Sequence, residues 1–183
     1  SSESGDYVGG IAGMSSSKIR DSFAKCTLSG SSYLGGVVGS GNSNDLTGSD
    51  LVVTGCRTIV AVDGDKPFSG AIAGCDAGTF TDNRYVSDTL RGLDRLSEDG
   101  KAEGIAYADL LKEKNIPEDF RSFTLKFTAD GETLRTVTFG YGDSFGDDIF
   151  PEIPAKDGCL AYWSVTDLSD LVFDTNVEAV YVC

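Results

Sequence analysis

A glycine-rich pattern that returns twice in the first half of the chain sets the tightest limit on what it can fold into. Tyr7-Val-Gly-Gly-Ile-Ala-Gly13 recurs as Tyr33-Leu-Gly-Gly-Val-Val-Gly39 and, more loosely, as Phe68-Ser-Gly-Ala-Ile-Ala-Gly74. The copies start at 7, 33 and 68, so the intervals are 26 and 35 residues. A polar turn follows each copy, such as Ser40-Gly-Asn-Ser-Asn-Asp45, and then a half-apolar strand. These strands span Ile19 to Leu28, Leu46 to Val53 and Phe80 to Val86. Fifteen of the 23 glycines precede residue 79, which suits strands that turn sharp corners without a Cβ clash. One such repeat cannot bury its own apolar face, but neighbours stacked about 4.8 Å apart can. Equivalent residues then align in columns: Tyr7, Tyr33 and Phe68 in one, Ile11, Val37 and Ile72 in another. The longer second interval is read as an inserted strand, Thr58-Ile-Val-Ala-Val62, closed by the turn Asp63-Gly64-Asp65.

The pattern Y-[VL]-G-G-[IV]-x-G, with a strand after it, resembles the GLUG-motif repeats of bacterial surface proteins over residues 7–91. The third copy departs from it at Ser69 and Ala71. The resemblance implies a short parallel β-helix-like solenoid and a secreted, adhesin-like setting.

The repeats end near Gly92, and residues 93–121 are charged and mixed. Tyr107-Ala-Asp-Leu-Leu-Lys-Glu-Lys114 is predicted as a short helix, stopped by Asn115 and Pro117. Pro117-Glu-Asp-Phe120 adds a single helical turn. A connector of this kind is expected to cover the open end of a stack, whose strand edges and apolar core are otherwise exposed.

From Ser122 strict alternation begins, with Phe123, Leu125 and Phe127 on one face and Thr124, Lys126 and Thr128 on the other. Asp130-Gly131 is a hairpin turn signal, followed by a return strand from Glu132 to Phe139. Pro151 and Pro154 mark an irregular crossover. Leu160 to Trp163 and Val177 to Val182 read as strands, the last apolar on both faces and therefore central in its sheet. Phe127-Thr-Ala-Asp-Gly131, Tyr141-Gly142, Pro151-Glu-Ile-Pro154, Lys156-Asp-Gly158, Trp163 and Phe173-Asp-Thr-Asn-Val-Glu-Ala-Val-Tyr181 occur in this order. Together they resemble the internalin-type B-repeat, also called the Listeria–Bacteroides repeat, across residues 122–183. Cys159 stands where that family usually has an aromatic, and Tyr162 where it has glycine. The resemblance implies a ubiquitin-like β-grasp module that serves as a spacer or interaction unit without catalysis of its own. The expected organisation is mainly β: repeats over 1–92, a helical connector over 93–121 and the β-grasp module over 122–183.

Chemistry is limited by what is missing. There is no histidine, which removes Ser-His-Asp and Cys-His catalysis and histidine-ligated metals. No Walker A sequence is present, and Gly35-Gly36-Val-Val-Gly39 lacks the strand-to-helix context of a dinucleotide fingerprint. A net charge of −14 argues against nucleic acid and against docking on an anionic membrane. No apolar run approaches the length of a membrane span. The chain opens on Ser-Ser-Glu-Ser-Gly without an initiator Met, and is expected to be part of a longer precursor.

The five cysteines, Cys26, Cys56, Cys75, Cys159 and Cys183, form no C-x-x-C pair. They are expected to be buried and reduced, with Cys56–Cys75 the pairing to consider if a disulfide forms. Calcium candidates are Asp63/Asp65, Asn42/Asn44/Asp45 and Asp143/Asp147/Asp148, none of which fits an EF-hand loop. Solvated turns are the simpler reading, and no metal or cofactor is assigned. Tyr85, Tyr141 and Trp163 are the aromatics to watch for sugar or partner contact, with core packing as the alternative for each, above all for Trp163. Tyr85 and Tyr141 are the candidate ligand contacts.

The expected function is a non-catalytic extracellular module, structural or adhesin-like, of a secreted or cell-wall-attached protein, with a protein or glycan as ligand. The alternatives are a carbohydrate-binding module and, further off, a polysaccharide-active enzyme working with paired carboxylates.

Overall fold

The computed structural model describes residues 7–41, 50–64, 66–75, 77–93 and 98–183. The chain is mainly β and divides into two units, Ser1–Pro117 and Glu118–Cys183.

In the first unit the strands follow one another in layers. The first layer holds β1 (Val8–Gly9), β2 (Ala12–Ser15), β3 (Lys18–Arg20) and β4 (Phe23–Leu28). The second holds β5 (Leu34–Gly35), β6 (Val38–Gly41), β7 (Val52–Thr54) and β8 (Arg57–Val62). The third holds β9 (Ser69–Gly70), β10 (Thr79–Thr81) and β11 (Asn83–Val86), and β12 (Ala102–Gly104) adds one more strand beyond β11. Every pairing between layers is parallel: β1-β5-β9, β2-β6, β3-β7-β10 and β4-β8-β11-β12. Among the described residues no sheet closes on itself.

The register follows the repeat. Val8 pairs with Leu34 and Leu34 with Ser69, and Ala12 pairs with Val38. The aromatic column forms as expected, with the Tyr7 and Tyr33 ring centroids 4.9 Å apart and those of Tyr33 and Phe68 4.6 Å apart. Ile11 N donates to Val37 O at 3.0 Å and Val37 N to Ile72 O at 2.9 Å, so the second column is continuous too. Tyr33 and Phe68 both take φ near +54° (53° and 54°), a left-handed corner that costs a side-chain-bearing residue energy. Ring stacking on both sides of Tyr33 offsets part of that cost.

Three expectations need correction. The strands after each repeat are broken rather than continuous, because Asp21, Gly55 and Asp82 occupy equivalent corners with φ of 46°, 68° and 49°. Asp tolerates this region better than most residues, and glycine enters it freely. The run Thr58 to Val62 is no insertion, because it belongs to β8, which pairs with β4 and β11. The pairing Ala12–Val38 has an offset of 26 and Lys18–Val52 one of 34, so eight extra residues fall between β6 and β7. Of the residues between these strands, 42–49 lie outside the described set, and with them part of the strand expected from Leu46. The connector is also not purely helical. Within it Leu93 bridges Ala73 and β12 pairs with β11, continuing the pairing that the Arg91 and Gly92 carbonyls make with Ala71, Ile72 and Ala73 at the end of the repeats. The helix itself is short: α1 spans Tyr107–Leu110, packs on β11, and tightens into i→i−3 bonds up to Glu113.

In the second unit a 3-10 turn, Glu118–Arg121, leads into β13 (Ser122–Ala129), β14 (Glu132–Gly140), β15 (Leu160–Trp163) and β16 (Thr175–Val182). The sheet order is β14-β13-β16-β15, with β13 and β16 parallel and both outer pairings antiparallel. The last strand is therefore interior, as its apolar pattern requires. Phe123, Leu125 and Phe127 are buried, and Trp163 and Phe150 stand edge-on to Phe127. Asp130 and Gly131 take φ of 51° and 82°, the two positive values of a tight hairpin turn. Lys156 reaches Asp130 at 2.6 Å and lies over the Tyr181 ring, which ties the hairpin turn to β16.

The cysteine expectation holds for Cys26, Cys56 and Cys75, which are reduced, and fails for the other two, as does the Cys56–Cys75 pairing. Cys159 and Cys183 form a disulfide, whereas Cys26, Cys56 and Cys75 are free. The reason lies in the register: Leu160 pairs with Val182, so Cys159 and Cys183 face each other one step further along the ladder. Cys75 is instead within 3.1 Å of the Ser40 hydroxyl, and Cys56 is fully buried.

Two measurements follow. A Cβ at Gly36 would lie 1.9 Å from Ala71 O and 2.6 Å from a Val60 methyl. Gly36→Val is expected to cost about 3 kcal/mol or more, read as a lower urea midpoint. Replacing both Cys159 and Cys183 by serine removes a cross-link of sequence separation 24 and should lower stability by about 3 kcal/mol, with β15 amides losing hydrogen-exchange protection first.

Candidate functional site

The sequence candidates separate clearly. Tyr85 is only 7% exposed, its ring packed against Gly92 and Gly104 and its hydroxyl 3.0 Å from Glu98 Oε2. Its ring is part of the core cluster. Glu98 also accepts from Gly92 N and meets Arg91, so this carboxylate organises the end of the layered unit. Tyr141 is 47% exposed in the second unit, and Trp163 is half-buried against Phe127.

Burial pushes the Cys26 thiol up to about 11 and also raises Cys56, so neither is a thiolate near neutrality. Among the described residues, no three His, Cys, Asp or Glu side chains are gathered as a metal site would need. Asp143, Asp147 and Asp148 are among those residues, whereas Asp65 and Asn42, Asn44 and Asp45 lie outside them.

Glu113 anchors a charge cluster that sequence reasoning missed. It ion-pairs with Arg57 Nε and, at 2.6 Å, with Arg84 Nη1, and is 15% exposed. Burial alone would raise its carboxyl pKa, but hydrogen bonds and charge from Arg57 and Arg84 outweigh that and hold it below the ordinary carboxylate range. The cluster clamps the turn after α1 to β8 and β11. The two arginines stand in register across those strands, and only that register brings them to one carboxylate.

The most ligand-like feature lies within the second unit. A groove of about 380 Å³ opens between the loop after β14 and the loop between β15 and β16. Its floor is apolar, with Phe139, Ile149 and Leu168 buried and Phe145 edge-on to Phe139 at 5.4 Å. Its rim carries Asp143, Asp147, Asp170, Ser144, Thr166 and Ser169, and no lysine or arginine lines it. Asp143 Oδ2 accepts from Gly140 N at 2.7 Å, which fixes one wall of the loop. Such a lining offers an aromatic surface beside hydroxyls and carboxylates, and no activated nucleophile. Alternation placed Phe139 on a strand, but the loops that bring Phe145 and Leu168 to it carry no sequence periodicity.

A second feature is apolar and lies at the first layer, where Tyr7, Ile11 and Met14 are 45%, 44% and 47% exposed.

Tyr85 supplies a test of the buried Glu98 end. Burial, then the hydrogen bond and charge of Glu98, push its hydroxyl up to about 12 from an unperturbed value of 10.0. Its contribution to stability is therefore complete below the unfolded value and is lost as pH rises through the folded one. Stability of the native chain should fall between those two values, and that portion of the fall should be absent in Tyr85→Phe, followed by thermal melts and by tyrosinate absorbance.

Among the described residues, no helix is long and apolar enough to cross a membrane. No protein-family model, no curated protein and no solved structure matches this chain.

Proposed function

We propose that this chain is a non-catalytic module of a bacterial secreted or cell-wall-attached protein, acting as a spacer and adhesin-like binding unit outside the cell. In this reading the first unit is a short GLUG-like β-solenoid and the second a ubiquitin-like β-grasp domain of the internalin B-repeat kind. The observation that carries it is the parallel register of Val8, Leu34 and Ser69 beneath a continuous aromatic column, since a layered unit of this kind grows by adding repeats. The β-grasp assignment is supported by a sheet whose first and last strands run parallel at its centre. An extracellular setting is supported by the Cys159–Cys183 disulfide, because such bonds persist in oxidising compartments. The lack of histidine and the raised thiols support a role without chemistry.

A carbohydrate-binding module is the second reading, favoured by the groove of Phe145 beside Asp143, Asp147 and hydroxyls. Antibody against the chain should label intact cells of the organism that makes it. Labelling only after lysis would overturn the extracellular assignment. On a glycan array, binding that Asp143→Ala and Phe145→Ala both abolish would select the carbohydrate reading. Binding to matrix proteins that ignores both substitutions would select the adhesin. Release of sugars from a polysaccharide would defeat the non-catalytic claim.

A further inference from the structure

The first layer ends in a surface whose occupant can be specified from the layers beneath it. Among the described residues β1, β2, β3 and β4 are each at the edge of their sheet. Tyr7, Ile11 and Met14 are exposed there, although their counterparts in the next layer, Val37 and Ser40, are buried and Tyr33 is stacked on both faces. Ile11 and Met14 therefore continue columns that are buried one layer below, and Tyr7 is the outermost described ring of the aromatic column.

The backbone shows the same interruption. Tyr33 O, Gly35 O and Val37 O accept from Val8 N, Gly10 N, and Ile11 and Ala12 N at 3.0–3.1 Å. Phe68 O, Gly70 O and Ile72 O accept from Leu34 N, Gly36 N, and Val37 and Val38 N in the same pattern. The matching acceptors of the first layer are Tyr7 O, Gly9 O and Ile11 O. A segment pairing with them needs donors at the same spacing and the same chain direction as β1.

Glycine narrows the partner further. A Cβ at Gly10 would meet Gly36 O at 2.2 Å, and one at Gly36 would meet Ala71 O at 1.9 Å. The residue at this position therefore faces the carbonyl of the layer that follows it, so an incoming layer needs glycine there. An aromatic must sit over Tyr7. The edge at β3 and β4 is different, because Lys18, Arg20 and Lys25 stand on it, and cations on an edge discourage strand addition.

We propose that the β1–β2 edge is a docking surface for one further segment of the same repeat, aromatic-x-Gly-Gly-β-branched-x-Gly, joined on the N-terminal side and lying parallel to β1. The proposal rests on the layered reading of the first unit. The segment covers Tyr7, Ile11 and Met14 and extends the aromatic column by one ring.

The chain contains a single methionine, Met14, so its oxidation by peroxide reports directly on this surface. The test is the full chain with a copy of residues 7–32 inserted directly before Tyr7, the copy carrying Met14→Leu. The expected result is several-fold slower oxidation of Met14 than in the unextended chain, with new protected amides in the copy at the positions of Val8, Gly10 and Ile11. The same extended chain with Gly10→Val in the copy should oxidise at the unextended rate. Unchanged oxidation in the extended chain, or equal slowing with Gly10→Val, overturns the proposal. Hydrogen exchange at Leu34, Gly36 and Val37 in the unextended chain separates the two claims. Protection there with no docking defeats this inference alone, and free exchange there defeats the layered reading as well.

Discussion

The approach of one backbone to the next at the glycine positions is the constraint on which the first unit depends. Parallel strands can share hydrogen bonds along a whole layer only if nothing stands between them at the corners. At Gly9, Gly35 and Gly70 a Cβ would lie within 2.1 Å of a carbonyl three residues further on in the same layer. At Gly10 and Gly36 it would strike the layer that follows. Close approach lets Val37, Val38, Ile72 and Ala73 bury completely and brings the partly exposed rings of Tyr7, Tyr33 and Phe68 into one stacked column. Apolar burial supplies the driving force, but glycine decides whether the layers can meet.

Polar groups inside this stack are answered individually. Asn83 is buried, with its carbonyl oxygen accepting from Cys56 N and its amide donating to Val53 O and Lys101 O. Thr58 donates to Ala71 O at 2.9 Å. No buried side-chain nitrogen or oxygen among the described residues lacks a hydrogen-bond partner. Glu98 and Glu113 do the same at the end of the unit for Tyr85, Gly92, Arg57 and Arg84. These groups bind protein, and that is why none of them reads as chemistry awaiting a substrate.

The second unit holds together differently. Alternation on β13 places Phe123, Leu125 and Phe127 on one face, and the interior position of β16 lets a single strand bridge two hairpin-like pairs. The disulfide closes the far end of β15 and β16. The loops that leave this sheet on the other side are long and irregular, and between them lies the groove. Its floor is set by strand residues and its rim by loop residues, so the surface can change without disturbing the sheet.

Much of this was legible in the residues. The repeat set the layers, their direction and both side-chain columns, because matching positions in successive copies allow few arrangements even when the interval changes. Strict alternation and Asp130-Gly131 set the β13–β14 hairpin. These signals are local, so they survive in one dimension. The tertiary structure alone decided the rest. Corners at Asp21 and Asp82 depend on the neighbouring layers, not on composition. Tyr85 went inward because Gly92 and Gly104 leave room for its ring. Arg57, Arg84 and Glu113 meet only once β8 and β11 are in register. Cys159 finds Cys183, rather than Cys56 finding Cys75, because a cross-link depends on which residues face each other across strands, and sequence separation does not encode that.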